Sequence, residues 1–350
     1  MGAGTSIPAA ANLSAEAQSV LAVLPEATRK ELAERATSSN LGKLSVSLCD
    51  CELCDDKVVR VLAEALPPTV QELVVELEGS SVTAAGACCL LERGVRLGAQ
   101  LKVLDMGECM LIGPVPEALG KCMALQELRL GDNQLAGPIP EALGACTALQ
   151  LLVLSDNRLM GVIPEALGAC TALLELRLNN NQLTGAIPTA FGACTTLRKL
   201  SLQNNRLMGP IHEMLGACTA LQQLNLARNQ LTGPIPEALG ACVVLDSLYL
   251  HDNQLNGAIP EALGACTALQ VLKLHNNQLT GLIPRALGAC TELQKLYLDG
   301  NQLVGPIPGA LAACTALQEL VLDGNQLTGP IAEALRVRKE AGDMMSTYSE

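Results

Sequence analysis

Leucine returns every 24 residues, at Leu101, Leu125, Leu149, Leu173, Leu197, Leu221, Leu245, Leu269, Leu293 and Leu317. Three residues on, a second ladder runs from Leu104 to Leu320. Two further on, a third opens with Met106 and continues from Leu130 to Leu322. Each lap then carries an asparagine (Asn133, Asn157, Asn181 and onward to Asn325), except the first, which has Cys109. A fixed short period of this kind means that each lap buries its apolar side chains against the next, so the chain stacks as a solenoid. Such an array has no upper size, and 350 residues need not divide into the roughly two or three globular domains that length alone suggests.

Within a lap, the alternation at Leu128 and Leu130 puts both side chains on one face of a short strand, with Arg129 and Gly131 on the other. Stacked laps bring these strands together as a parallel sheet, about 4.8 Å per lap. Asn133 ends the strand, where its amide can serve backbone groups within a lap and between laps; a buried amide without such partners is costly. Gly137-Pro-Ile-Pro140 recurs as Gly161-Val-Ile-Pro164, Gly185-Ala-Ile-Pro188 and Gly233-Pro-Ile-Pro236, supplying a residue free of φ restriction and then fixed φ values. Glu141 to Cys146 then reads as a short helical turn with Leu143 and Cys146 inward. Each lap buries about six apolar side chains, at roughly 1.5–3 kcal/mol for each large one, so stacking offsets an ordering entropy that one lap alone could not.

The pattern Leu-x-x-Leu-x-Leu-x-x-Asn-x-Leu-x-Gly-x-Ile-Pro-x-x-Leu-Gly, held from Leu101 to about Leu335, resembles the plant-type leucine-rich repeat. One departure is systematic: a convex-side leucine of that family is cysteine in Cys122, Cys146, Cys170, Cys194, Cys218, Cys242, Cys266, Cys290 and Cys314. His212 and Ala332 stand where the family has proline. The resemblance implies an α/β, right-handed leucine-rich-repeat solenoid. It would be a curved horseshoe with a concave parallel β-sheet and short helical or irregular convex segments, binding protein or peptide ligands on its concave face. Upstream, Leu41, Leu44, Val46, Cys49 and Val70, Leu73, Val75, Glu78 keep the strand pattern, each followed by a longer helical pattern, Asp55 to Leu66 and Ala84 to Leu97. These laps resemble ribonuclease-inhibitor-type repeats. The expected division is a tail and capping helix (1–40, the helix over 13–37), longer repeats (41–100), ten 24-residue repeats (101–335) and a C-terminal cap and frayed tail (336–350).

Tryptophan is absent and Phe191 is the single phenylalanine, so the core is aliphatic. A formal net charge of −12 argues against nucleic acid or anionic lipid as a general partner. No stretch is long and apolar enough to span a membrane. The first 12 residues carry no Lys or Arg, and Val20 to Leu24 is too short for a signal-peptide core. Fifteen cysteines without a secretory signal then suggest reduced thiols and a cytoplasmic location. Met1-Gly-Ala-Gly-Thr-Ser6 fits the myristoylation pattern with Gly2 as acceptor. One acyl chain gives only weak, peripheral membrane association, and neither a basic cluster nor a cysteine before Cys49 supplies a second anchor.

The cysteine ladder has three readings: disulfides between laps, a soft-metal column, or buried thiols packing as small hydrophobes. The last is favoured because these positions replace a buried leucine. Cys49-x-Cys51-x-x-Cys54 has the spacing of a metal half-site, although Cys49 and Cys51 also fall on repeat positions. Cys88-Cys89 sits in a helical pattern.

Recognition is expected where the laps disagree. One exposed strand column reads Asp105, Arg129, Val153, Arg177, Ser201, Asn225, Tyr249, Lys273, Tyr297, Val321; a second runs from Gly107 through His251 and His275 to Asp299 and Asp323; a third runs from Glu108 through Asp252 to Asn276. The candidate partner-binding residues are Arg129, Arg177, Asn225, Tyr249, His251, Asp252, Lys273, His275, Lys295, Tyr297 and Asp299. Tyrosine and histidine anchors among charges from Tyr249 to Asp299 have the makeup of a binding hot spot. A solvated polar face is the alternative, and His251, His275 and Asp299 could approach a metal. Catalysis is not expected: Ser247 and His251 lie about 13 Å apart along one strand, and no phosphate-binding glycine loop or zinc-protease motif occurs. The reading is a non-enzymatic scaffold or adaptor for a protein or peptide, without cofactor or metal, in intracellular signalling. Its alternative is a secreted or cell-surface ligand-binding or inhibitor protein. A third, an ice-binding array, is suggested by Thr184, Thr232, Thr280 and Thr328, a row broken by Met208, Asn256 and Val304.

Overall fold

Each 24-residue lap from Leu101 to the one starting at Leu293 contributes two short strands and a turn of 3-10 helix. The computed structural model describes residues 43–47, 56, 57, 60, 72–76, 86, 101–108, 111–330, 333–342 and 344–347. The lap from Leu125 shows the pattern: strand Glu127–Arg129, strand Gln134–Gly137, then the turn Glu141–Ala145. The chain divides into two compact units, Met1–Leu173 and Leu174–Glu350. In the first, Val103–Asp105, Glu127–Arg129 and Leu151–Val153 pair in parallel with Leu104, Leu128 and Leu152 in register. In the second, the same alignment runs through Leu176, Leu200, Leu224, Leu248, Leu272, Leu296 and Leu320. All these leucines are buried. A strand slipped by one residue would turn them out to solvent, which is why the register is the same throughout.

The asparagine that follows the strand is buried from Asn133 to Asn301 and fully used. Asn229 Nδ2 donates to the carbonyls of Leu226 and Ala227 in its own lap and of Leu202 in the lap before, while its Oδ1 accepts from Leu207 N–H at 3.0 Å. Asn133, Asn157, Asn205, Asn253, Asn277 and Asn301 repeat this bonding within a lap and between laps. The column Glu108, Asp132, Asp156, Asn180, Asn204, Arg228, Asp252, Asn276, read above as an exposed strand column, is instead a turn column. Every member has φ between 53 and 57°, and Gly300 and Gly324 hold the same place at 62 and 68°. The left-handed region admits Asn, Asp and Gly most readily, so backbone geometry already narrows the choice at these positions.

A second set of parallel strands follows the asparagines and was not expected from the sequence. Ile112–Gly113, Gln134–Gly137 and Arg158–Val162 pair in the first unit. Met208–Pro210, Gln230–Gly233, Gln254–Ala258, Gln278–Gly281, Gln302–Pro306 and Gln326–Thr328 pair in the second. The Gly-x-Ile-Pro segment, read as an irregular link, is thus partly sheet: Gly233, at φ +76°, belongs to the strand it ends. The helical segment is 3-10, with Leu143 N–H donating to Pro140 O and Cys146 N–H to Leu143 O. Seven apolar side chains are buried in the lap from Leu125 rather than about six: Leu125, Leu128, Leu130, Leu135, Ile139, Leu143 and Cys146.

The nine cysteines from Cys122 to Cys314 are free and buried. Thiols of this ladder donate to carbonyls of the preceding lap, as Cys146 Sγ does to Leu119 O (3.3 Å) and Cys218 Sγ to Phe191 O (3.2 Å). Burial pushes the thiols of Cys146, Cys242 and Cys266 up from 9.0 to about 11, and those of Cys218 and Cys290 to about 12. A raised folded-state value means that the stabilising contribution is whole below the unfolded thiol's 9.0 and is lost as pH climbs towards 11–12. Urea midpoints should therefore stay level with respect to these groups up to about pH 9 and then fall steadily. Cys266→Ala combined with Cys290→Ala should flatten that fall.

Strands Lys43–Ser47 and Glu72–Glu76 pair in parallel, Lys43 opposite Glu72. Gly2, the 13–37 segment, Cys49, Cys51, Cys54, Cys88, Cys89 and most of the two longer helical patterns lie outside the described residues. At the other end, helix Glu333–Glu340 is followed by strand Met345–Thr347, which pairs in parallel with Glu319–Val321 where a frayed tail was expected. Among the described residues, no helix is long and apolar enough to cross a membrane.

Candidate binding face

Because Leu248, Leu272 and Leu296 point into the core, the residues beside them point out, and register decides which become neighbours. Tyr249, Lys273 and Tyr297 stand opposite one another on consecutive strands. Lys273 Nζ consequently sits between two rings, 4.7 Å from the centroid of Tyr297 and 6.0 Å from that of Tyr249. Two residues beyond the tyrosine, His251 and His275 stack with ring centroids 4.4 Å apart and planes 14° from parallel. Tyr249 meets His251 edge-on at 6.4 Å, and Tyr297 lies 5.8 Å from His275. The four rings and the ammonium form one connected, half-buried patch.

Desolvation dominates its electrostatics. Burial, with the neighbouring His275 next in weight, pushes the His251 imidazole down to about 4, and burial also lowers His275. Both rings are neutral at pH 7, which leaves Lys273 as the charge at the centre. Tyr297 donates its hydroxyl proton to Glu319 Oε2, and Lys295 pairs with Glu319 Oε1 at 2.7 Å. Asp252 accepts from Asn276 Nδ2 at 2.7 Å and from Arg228 Nε at 3.4 Å.

The other expected partner-binding residues are less concentrated. Arg129, in the unit Met1–Leu173, pairs with Asp105 at 3.3 Å and Glu127 at 2.7 Å. Arg177 pairs with Glu175 at 2.7 Å, and Asn225 Oδ1 accepts from Ala227 N–H. Such exposed pairs are worth about 0–1 kcal/mol, so a ligand carboxylate could replace the internal one at little cost. Sequence reasoning missed Glu319 and placed Arg228 and Asn276 in an exposed column without naming their partner; these roles arise between laps, across 22 to 24 residues. The group that draws together around the histidines is His251, Asp252 and His275, with ligand atoms all within 4.8 Å, and Asp252 takes the place that the sequence suggested for Asp299. The Ser247 hydroxyl is engaged by Asp246 at 2.6 Å.

Leucine-rich-repeat family models match residues 147–207, 195–255 and 243–303, and further ones match 124–146 and 313–335. No curated protein sequence matches the chain. Among solved structures, the plant peptide hormone receptor RGFR1 in complex with RGF2 is 32% identical with a TM-score of 0.72, covering 79% of this chain and 47% of the receptor chain. The Arabidopsis receptor kinase HAESA, in complex with the peptide hormone IDA and the co-receptor SERK1, is 28% identical with a TM-score of 0.71, covering 88% of this chain and 52% of that one. The chain thus spans about half the length of these receptor chains. A plant ice-binding protein, 23% identical with a TM-score of 0.52 over 83% of this chain and 79% of its own, shares the fold alone. Residues 124–303 and 313–335 of this chain are leucine-rich repeats, folded as stacked parallel strands with 3-10 turns.

Proposed function

We propose that the chain is a non-enzymatic binding module of the plant-type repeat class. It takes a protein or peptide segment across the exposed face of its first sheet, centred on Tyr249, His251, Lys273, His275 and Tyr297. The observation that carries this reading is the patch itself: aromatic rings and one cation, set in register by three consecutive strands and half-exposed. Rigid aromatic side chains give a ligand large contact area at low entropic cost, and Lys273, half-buried between two rings, offers a positioned charge for a ligand carboxylate. Leucine-rich-repeat receptors solved with peptide hormones support a peptide as the ligand and favour a secreted or cell-surface setting over the intracellular scaffold. The intracellular reading keeps one supporting observation, the nine free buried thiols. The ribonuclease-inhibitor-like character of residues 41–100, and the division at 40, 100 and 335, belong to the same proposal.

The test is selection from a displayed library of extended peptides, followed by titration of the selected peptides. The quadruple variant Tyr249→Ala, Lys273→Glu, Lys295→Glu, Tyr297→Ala should lose at least about 100-fold in affinity, since hot-spot truncations commonly cost 2 kcal/mol or more each. An equal change at Arg206 and Arg285, outside the patch, should leave affinity intact. Peptides that bind the quadruple variant as tightly as the parent would remove the first sheet from consideration. Blocking free thiols on intact cells before lysis, with mass readout of labelled and oxidised cysteines, decides between the two compartments.

A further inference from the structure

We infer that His251, Asp252 and His275 form a binding site for a divalent first-row cation of the zinc(II) or nickel(II) class, independent of any peptide ligand. Two imidazoles and a carboxylate suit these ions, and three protein ligands leave a further position for water. The ligand atoms lie within 4.8 Å of one another. A tetrahedral ion with bonds of about 2.0–2.1 Å needs its donors about 3.4 Å apart, so side-chain rotations of an ångström or so complete the site.

A second observation points the same way. Nδ1 of His251 and Nδ1 of His275 are both shielded from solvent, and neither has a hydrogen-bond partner. A nitrogen removed from water without replacement costs free energy that coordination would return.

The surrounding groups set the terms. The near-parallel stack directs the two ring planes alike, so binding must tilt one ring away from 14° to make the lone pairs converge. Arg228, on Asp252 at 3.4 Å and largely exposed, is easily displaced. Asn276 Nδ2 stays on Asp252 Oδ1, orienting the other carboxylate oxygen. Lys273 opposes the ion and Asp299 favours it; both act on His275 in the same senses.

Chelator-treated full-length protein, kept reduced, is titrated with zinc(II) alone by calorimetry. The nine buried cysteines and the remaining thiols give a background common to every variant, so the comparison is between variants. His251→Gln with His275→Gln preserves polarity and approximate size and should abolish one binding equivalent. Either single change, or Asp252→Asn, should weaken that equivalent by more than about 10-fold, the least that even an outer-shell change commonly costs. His212→Gln should change nothing, because His212 caps a different turn through Met214 N–H. In the parent, zinc but not magnesium should shift the ring resonances of His251 and His275. Equal zinc uptake by parent and double variant, with both folded by near-ultraviolet circular dichroism, overturns the site. So does zinc uptake that leaves both ring resonances unmoved.

Discussion

Asn229→Ala lowers the stability of the unit Leu174–Glu350 by about 2–4 kcal/mol, among the largest effects a single side chain can have here. The amide makes four hydrogen bonds in a buried site, three donated and one accepted. Alanine leaves the buried Leu207 N–H without its acceptor, an unmet group that costs about 1–3 kcal/mol, and removes the link to the Leu202 carbonyl, which keeps its bond from Asn205 Nδ2. The loss is read as a drop in urea midpoint. It is read locally too, because the Leu207 amide should lose its protection from hydrogen exchange before amides two laps away. Asn325→Ala, in a half-exposed lap, should cost clearly less. Equal costs at both positions would mean that the bonds are not what the column contributes.

Gly240→Ala should destabilise by about 1–3 kcal/mol or more, through overlap that the backbone cannot relieve cheaply. A Cβ there would sit 2.5 Å from Ala262 O and 2.6 Å from Ala262 Cβ, both in the following 3-10 turn. Successive turns therefore approach as closely as they do because this position has no side chain. Gly144, Gly216, Gly264 and Gly288 meet the same obstacle from Ala166, Ala238, Ala286 and Ala310. Gly309→Ala is the control: nothing lies within 4 Å of its Cβ position, and the expected change is within about 0.5 kcal/mol. The sequence carries its own version of this experiment. The turn Gly309–Ala313 has Ala312 in the glycine's place, and the segment that follows is the helix Glu333–Glu340 rather than another 3-10 turn.

These two columns mark how far the sequence could be read. Leu128 and Leu130 announce a strand because period-two burial is a property of neighbouring residues, and Asn133 announces its turn because an amide at a strand end has few other uses. Gln134–Gly137 gives no such signal: one buried leucine beside a glycine looks like a link, and its strand exists only through pairing with its neighbours Ile112–Gly113 and Arg158–Val162. The third exposed column misled for a related reason, since a positive φ does not show in a list of Asp, Asn and Arg until Gly300 and Gly324 are seen to share it. In the candidate site, the residue types were legible and the partnerships were not. Tyr249, Lys273 and Tyr297 were expected side by side, but the ammonium between two rings follows from register. Arg129, Arg177 and Lys295 looked free for a ligand until Asp105, Glu175 and Glu319 arrived from the same or adjacent strands.

Strand Met345–Thr347 has a consequence for self-association. A parallel sheet built from interchangeable laps ends in a row of unused peptide groups, and such an edge recruits any chain that can extend it, a second molecule included. Here Met345 N–H donates to Gln318 O, and Leu322 N–H donates to Thr347 O, so the molecule answers its own edge. The strand Glu319–Val321 is thereby covered, and the edge that remains on this side is only three residues long, too short a template for extended pairing.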